Sequence, residues 1–169
     1  MSFELGTDDI LSAMRTTVGE STTVGTAPDT LTVTWQRQLE GPPLRWIGDL
    51  SAGYPLLTLE PQDTTMEHGV PGANYNELDL VVLLHAVIPT ATLTGSGAAA
   101  TAYRVLRLVG EQLVNTLMDA GSALGTSFAT RRVLRFGIDY SLTEALFDKE
   151  LCVYSIECGF VYYEAEPKA

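Results

Sequence analysis

Hydrophobic and polar positions recur along this chain in two periods, and the period predicts the element. Near the start, Ile10, Leu11, Met14 and Val18 fall on one face at helical spacing. Thr7 or Asp8 can cap this helix, Asp8 and Asp9 suit the positive end of its dipole, and Gly19 can end it. A polar, Thr- and Gly-rich stretch, Glu20 to Thr30, follows. Leu31, Val33, Trp35 and Leu39 then alternate with Thr32, Thr34, Gln36 and Gln38, the period of a half-buried strand. Gly41-Pro42-Pro43 breaks it.

Tyr54 to Glu60 predicts a short strand with Pro55 at its start or on an edge, and Gln62 to Asn76 a polar loop. The strongest strand signal runs from Glu77 to Ile88. Leu80-Val81-Val82-Leu83-Leu84 is apolar at every position, which places this strand in the middle of a sheet or in a closed assembly. Thr90 to Gly97 is small and flexible. A long helix is predicted from Ala98 to Ala120, with Ala102, Val105, Leu106, Val109, Leu113, Leu117 and Ala120 as its apolar stripe. Arg104, Arg107, Glu111, Asn115 and Asp119 lie opposite. A second apolar line, Tyr103, Gly110, Val114 and Met118, sits on the flank, and one helix on one sheet does not need it.

After a loop, Gly121 to Thr130, a strand from Arg132 to Tyr140 should turn Leu134, Phe136, Ile138 and Tyr140 one way and Arg135 and Asp139 the other. A loop or irregular hairpin, Ser141 to Lys149, leads to a last strand, Glu150 to Tyr163, with Cys152, Tyr154, Ile156, Cys158, Phe160 and Tyr162 on one face. Glu164 to Ala169 should fray. The order predicts an α+β fold over a single domain, 1–169: a mostly antiparallel sheet packed by one long helix, with a short N-terminal helix.

Composition narrows the function. Hydrophobic residues make up 46% of 169, as in a folded chain. Acidic residues outnumber basic ones 21 to 10, for a formal net charge of −11. Such a balance disfavours both phosphate-gripping nucleic-acid binding and anionic membrane surfaces. The start, Met1-Ser2-Phe3-Glu4, lacks the features of a signal peptide, and Leu80 to Ile88 is too short to span a bilayer, so a soluble protein without membrane partners is expected.

Chemistry is sparse. His68 sits in the polar loop with Glu67 but without a second ligand at metal-site spacing; His85 sits in the apolar strand, where packing and a hydrogen bond account for it. No nucleophile elbow, phosphate loop or dinucleotide fingerprint occurs. Cys152 and Cys158, six apart in one strand, are too far apart to bridge and read as buried thiols. The acidic groups Glu144, Asp148, Glu150 and Glu157, Glu164, Glu166 read as solvated faces. No catalytic residue, cofactor or metal is expected. A structural or interaction role is favoured instead, with Tyr103, Val114 and Met118 meeting another subunit. In the acidic loops, Leu146 and Phe147 either anchor a partner, with Asp148 and Glu150 as the polar rim, or tuck back onto their own domain.

The order of elements resembles the tail terminator, or tail-completion, proteins of long-tailed bacteriophages over nearly the whole chain. The residues that carry it are the N-terminal helix Asp9 to Val18, Tyr54-Pro55-Leu56-Leu57-Thr58-Leu59-Glu60 running into an acidic loop, Glu77 to Pro89, the single long helix, and the closing strand Leu151 to Tyr162. The resemblance implies a virion protein, assembled in the host cytoplasm, that forms a homo-oligomeric ring, commonly a hexamer. The ring caps the tail tube, contacts the tube protein and a neck or connector protein, and lets genome DNA pass through its lumen without specific binding. A lumen lined by negative charge would let phosphates slide. Other readings compete: another head-tail connector or neck protein, a hotdog-like thioesterase using Glu67-His68-Gly69, and a free-standing interaction domain.

Overall fold

The computed structural model describes residues 3–25, 30–47, 53–62, 65–66, 75–93, 99–119 and 129–165. Helix α1 spans Phe3–Val18, β1 Ser21–Val24, β2 Leu31–Thr34, β3 Arg37–Glu40 and α2 Pro43–Ile47. Strands β4 (Leu56–Pro61), β5 (Thr65–Met66) and β6 (Tyr75–Pro89) follow, then α3 (Thr90–Leu93) and α4 (Ala99–Asp119). The chain closes with β7 (Ala129–Ile138), α5 (Tyr140–Ala145), a 3-10 turn (Phe147–Lys149) and β8 (Leu151–Ala165). This is the α+β fold with the long helix on the sheet.

The main sheet runs β3-β4-β6-β8-β7, with β5 paired to β6. All its pairings are antiparallel except β3 with β4, which is parallel. The two-sided apolar strand β6 lies between β4 and β8, where its composition places it. One face of the sheet (Leu57 and Leu59, Leu80 to Ile88 at alternate positions, Cys152, Tyr154, Ile156, Cys158 and Phe160) packs under α1, α4 and the β1–β2 hairpin. The α4 stripe Ala102, Leu106, Val109, Leu113 and Leu117 is buried there, and Arg104, Arg107, Glu111 and Asn115 are exposed. Both cysteines are buried, and no disulfide joins them. The opposite face holds a smaller cluster, Leu56, Val87, Leu146, Leu151 and Val153, covered by the α5 segment.

Several expectations need correction. Helix α1 starts at Phe3, so Thr7 and Asp8 lie inside it and do not cap it. The strand expected at 31–39 is two strands. At its break Trp35 N–H donates to Glu20 O and Gln36 N–H donates to Pro55 O, which carries the chain from the hairpin to the main sheet. The polar stretch after α1 supplies β1; its Thr22 is buried and accepts from Trp35 Nε1 at 3.2 Å. Thr90–Leu93 is helical, and Glu164 and Ala165, expected to fray, are paired in β8 opposite Asn76 and Tyr75. Residues 166–169, 94–98 and 121–128 lie outside the described residues.

Strand β7 departs from strict alternation. A register shift between Val133 and Arg135 leaves Leu134 without a partner on β8. Val133 pairs with Cys158 on the helix side, Leu134 comes to lie over Gly159, and Phe136 and Ile138 pair with Ile156 and Tyr154. The expected common face of Leu134 and Phe136 is therefore broken. The segment 141–149, expected as a loop or hairpin, folds into α5 and the 3-10 turn. Asp139 Oδ1 accepts the Leu142 amide at the helix N-cap, and Thr143 Oγ1 accepts the Val153 amide beyond the end of β7.

Candidate functional site

Polar residues interrupt the apolar strands at one place, and the register brings them together. Thr58 on β4 pairs with His85 on β6, His85 with Ser155 on β8, and Ser155 with Gly137 on β7. Glu60 is two positions beyond Thr58 and shares its face. The row lies on the sheet face away from α4. His85 is buried, with Nδ1 2.7 Å from Ser155 Oγ and Nε2 3.1 Å from Glu60 Oε2. Ser155 Oγ is also 3.3 Å from Asp139 Oδ2. A cleft of about 470 Å³ opens over Ser155 and His85, and Gly137, Arg135, Glu157, Tyr140 and Ser141 stand along it. An added Cβ on Gly137 would meet nothing within 4 Å, so glycine leaves space there that packing does not demand.

Burial pushes the His85 pKa below the ordinary 6.5; the hydrogen bond and charge of Glu60 and the charge of Asp139 oppose the shift without reversing it. At neutral pH the ring thus carries one proton. Glu60, as a carboxylate, only accepts, so that proton sits on Nε2 and Nδ1 accepts the Ser155 hydroxyl. Nucleophile, base and orienting acid then stand in line as in acyl-transfer enzymes. The surroundings do not suit that chemistry. Ser155 is mid-strand between β6 and β7, where ladder pairing engages the backbone. Asp139, within 3.3 Å of Ser155 Oγ, and Glu157 along the same cleft bring carboxylates to a place where acyl transfer needs hydrogen-bond donors. Among the described residues no group of three or more His, Cys, Asp and Glu could hold a metal ion, and no helix is long and apolar enough to cross a membrane.

The residues anticipated from the sequence lie elsewhere and are not drawn together. Val114, expected at a subunit interface, is 4% exposed and belongs to the core beneath α4. The flank line is partly a packing device: a Cβ on Gly110 would clash with the Tyr154 ring, so the glycine admits that ring. Tyr154 is itself pushed up to about 12 by burial and then by Glu111. Tyr103 is half-buried, edge-on to Tyr140 at a centroid distance of 6.0 Å. Met118 remains outward, at 57% exposure. Leu146 and Phe147 do not act as a pair. Leu146 is 2% exposed in the second cluster, while Phe147 is 73% exposed, with Asp148 and Glu150 exposed beside it. Glu67, His68 and Gly69 lie outside the described residues.

Sequence reasoning took His85 as a packed strand histidine with one hydrogen bond and missed the polar row. Its members are far apart along the chain, and only strand register aligns them. The available signal was a polar residue that breaks an apolar run in each of two strands, His85 after Leu80 to Leu84 in β6 and Ser155 after Leu151 to Tyr154 in β8. No protein-family model matches the chain, and no curated protein matches it either.

Proposed function

We propose that this chain is a structural subunit that closes a ring at the top of a phage tail, ends growth of the tube and joins it to the neck. The observation that carries this reading is the outer edge of β7. It is a ten-residue strand at the end of the main sheet with no further strand beside it among the described residues, and Phe136 on it is 51% exposed. Monomers shorten or cover such an edge, or blunt it with bulges and charges; β7 has a bulge and Arg135 yet leaves Phe136 exposed, as an edge used in assembly would. Exposed Leu134 on β7 and Met118 on α4 add apolar surface. Head-to-tail contact through unlike surfaces produces a closed ring when the rotation closes, and a hexamer is the expected size.

Strand β7 also carries Arg131, Arg132 and Arg135, three of the ten basic residues of a chain with net charge −11. A second, acidic copy complements it. Phe147, rimmed by Asp148 and Glu150, is the projecting anchor suited to a tube or neck partner. The role requires no catalytic residue, cofactor or metal, and DNA would pass an acidic lumen without specific contacts.

Negative-stain imaging of the purified chain tests this reading. Rings with a central hole are expected, and Phe136→Lys should reduce them to monomers that keep the wild-type far-ultraviolet circular dichroism. A wild-type chain that stays monomeric at high concentration refutes the assignment. The competing reading, an acyl hydrolase, rests on the Ser155–His85–Glu60 line; it predicts labelling of Ser155 by a fluorophosphonate, which the ring reading does not.

A further inference from the structure

Asp139 stands where β7 ends and α5 begins. Its Oδ1 accepts the Leu142 amide and its Oδ2 faces the Ser155 hydroxyl. That hydroxyl has a single proton and two acceptors within reach, His85 Nδ1 and Asp139 Oδ2. The protonation state of His85 decides between them. When the ring is neutral, Nε2–H donates to Glu60, Nδ1 is bare, and Ser155 donates to it. When the ring is charged, Nδ1–H donates to Ser155 Oγ, and the Ser155 O–H is left with Asp139 Oδ2 as its acceptor.

We propose that His85 is a proton-operated latch between the central sheet and the α5 segment: its protonation turns the Ser155 hydroxyl towards Asp139 and ties the N-cap of α5 to β8. Only hydrogen bonds change. The added proton arrives on Nδ1 from solvent through the cleft, and the Ser155 proton stays on Oγ and rotates about the Cβ–Oγ bond. In the charged state each group has a matched partner from end to end: Glu60 accepts, the imidazolium donates twice, Ser155 accepts and donates, and Asp139 accepts. Glu60 faces the ring from β4, and Asp139 from the β7–α5 junction. Glu157 of β8, Arg135 of β7 and Tyr140 of α5 line the same cleft. Burial sets the transition below pH 6.5, and the two carboxylates named with it limit how far below. The segment so fastened holds Leu142 and Leu146 on the second apolar cluster and carries Phe147 outward. Ring formation is not required for it.

Amide exchange of the full chain, followed by NMR from pH 7.5 to 4.5 alongside the His85 ring signals, tests the latch. The reporters are the Leu142 amide, bonded to Asp139 Oδ1, and the Thr143 amide, bonded to Asp139 O. After correction for intrinsic rates, their protection should rise roughly fivefold as His85 takes up its proton, the equivalent of one net hydrogen bond. Ser155→Ala should abolish the rise. His85→Gln, which cannot titrate, should also give a flat profile and serves if the serine variant does not fold. Protection that is flat or falls through the wild-type titration overturns the proposal, as does an equal rise in either variant.

Discussion

At the scale of single residues, His85 shows how burial and partners compete over one charge. Its imidazole is buried beside Glu60, yet desolvation outweighs the carboxylate and the folded state holds the proton less tightly than the unfolded chain. Below pH 6.5 the unfolded chain therefore binds more protons at this site. Its contribution to stability is complete above 6.5, declines as pH falls towards the folded-state value, and levels off below it. Denaturant melts at a series of pH values should show this decline in the wild type and lose it in His85→Gln. A wild-type stability that rises on acidification through this window would contradict the assignment. The loss is global, whereas the latch tightens one local contact, so the two measurements report different free energies.

At the scale of elements, the α5 segment shows how two adjacent apolar residues acquire opposite roles. Asp139 caps the helix, Leu142 and Leu146 fall one helical turn apart, and both turn onto Leu56, Val87, Leu151 and Val153. The 3-10 turn then points Phe147 outward, and Glu150 adopts a left-handed φ of 56° that reverses the chain into β8. Leu146→Ala should cost about 2–5 kcal/mol in a urea melt, since it removes buried side-chain volume. Phe147→Ser should leave the melting temperature nearly unchanged while, on the proposed ring reading, weakening the complex in a pull-down with tail-tube protein. If Phe147→Ser destabilises as much as Leu146→Ala, the aromatic ring belongs to the core and the docking role fails. The bulge in β7 works at the same scale: one extra residue parts Leu134 from Phe136 and places them on opposite faces.

At the scale of the whole molecule, charge and apolar edge act against each other. Every copy carries a formal −11, so copies repel at long range; in the proposed ring the β7 edge, with Leu134, Arg135 and Phe136 exposed, would supply the short-range contacts. Added salt screens the repulsion over a Debye length of about 10 Å at 0.1 M, and exposed arginine–carboxylate pairs contribute little even at low salt. Sedimentation between 50 and 500 mM salt should therefore show association growing with ionic strength. Dissociation on adding salt would mean that specific ion pairs hold the assembly.

The periodic segments were legible without coordinates. The helical stripe from Ala102 to Leu117, the two-sided run Leu80 to Leu84, and the alternation of Cys152 to Phe160 each state their period locally, and burial of an apolar face enforces it. What tertiary structure decided lies where local pattern is short or ambiguous. Thr22 became buried in a strand where Trp35 bonds to it, and Val114 joined the core on the helix that Gly110 lets the Tyr154 ring approach. The polar row of Glu60, His85, Ser155 and Asp139 exists only through register and the turn after β7. Period is a property of neighbours along the chain, whereas register depends on bonds between distant segments, and a single bulge can reset it.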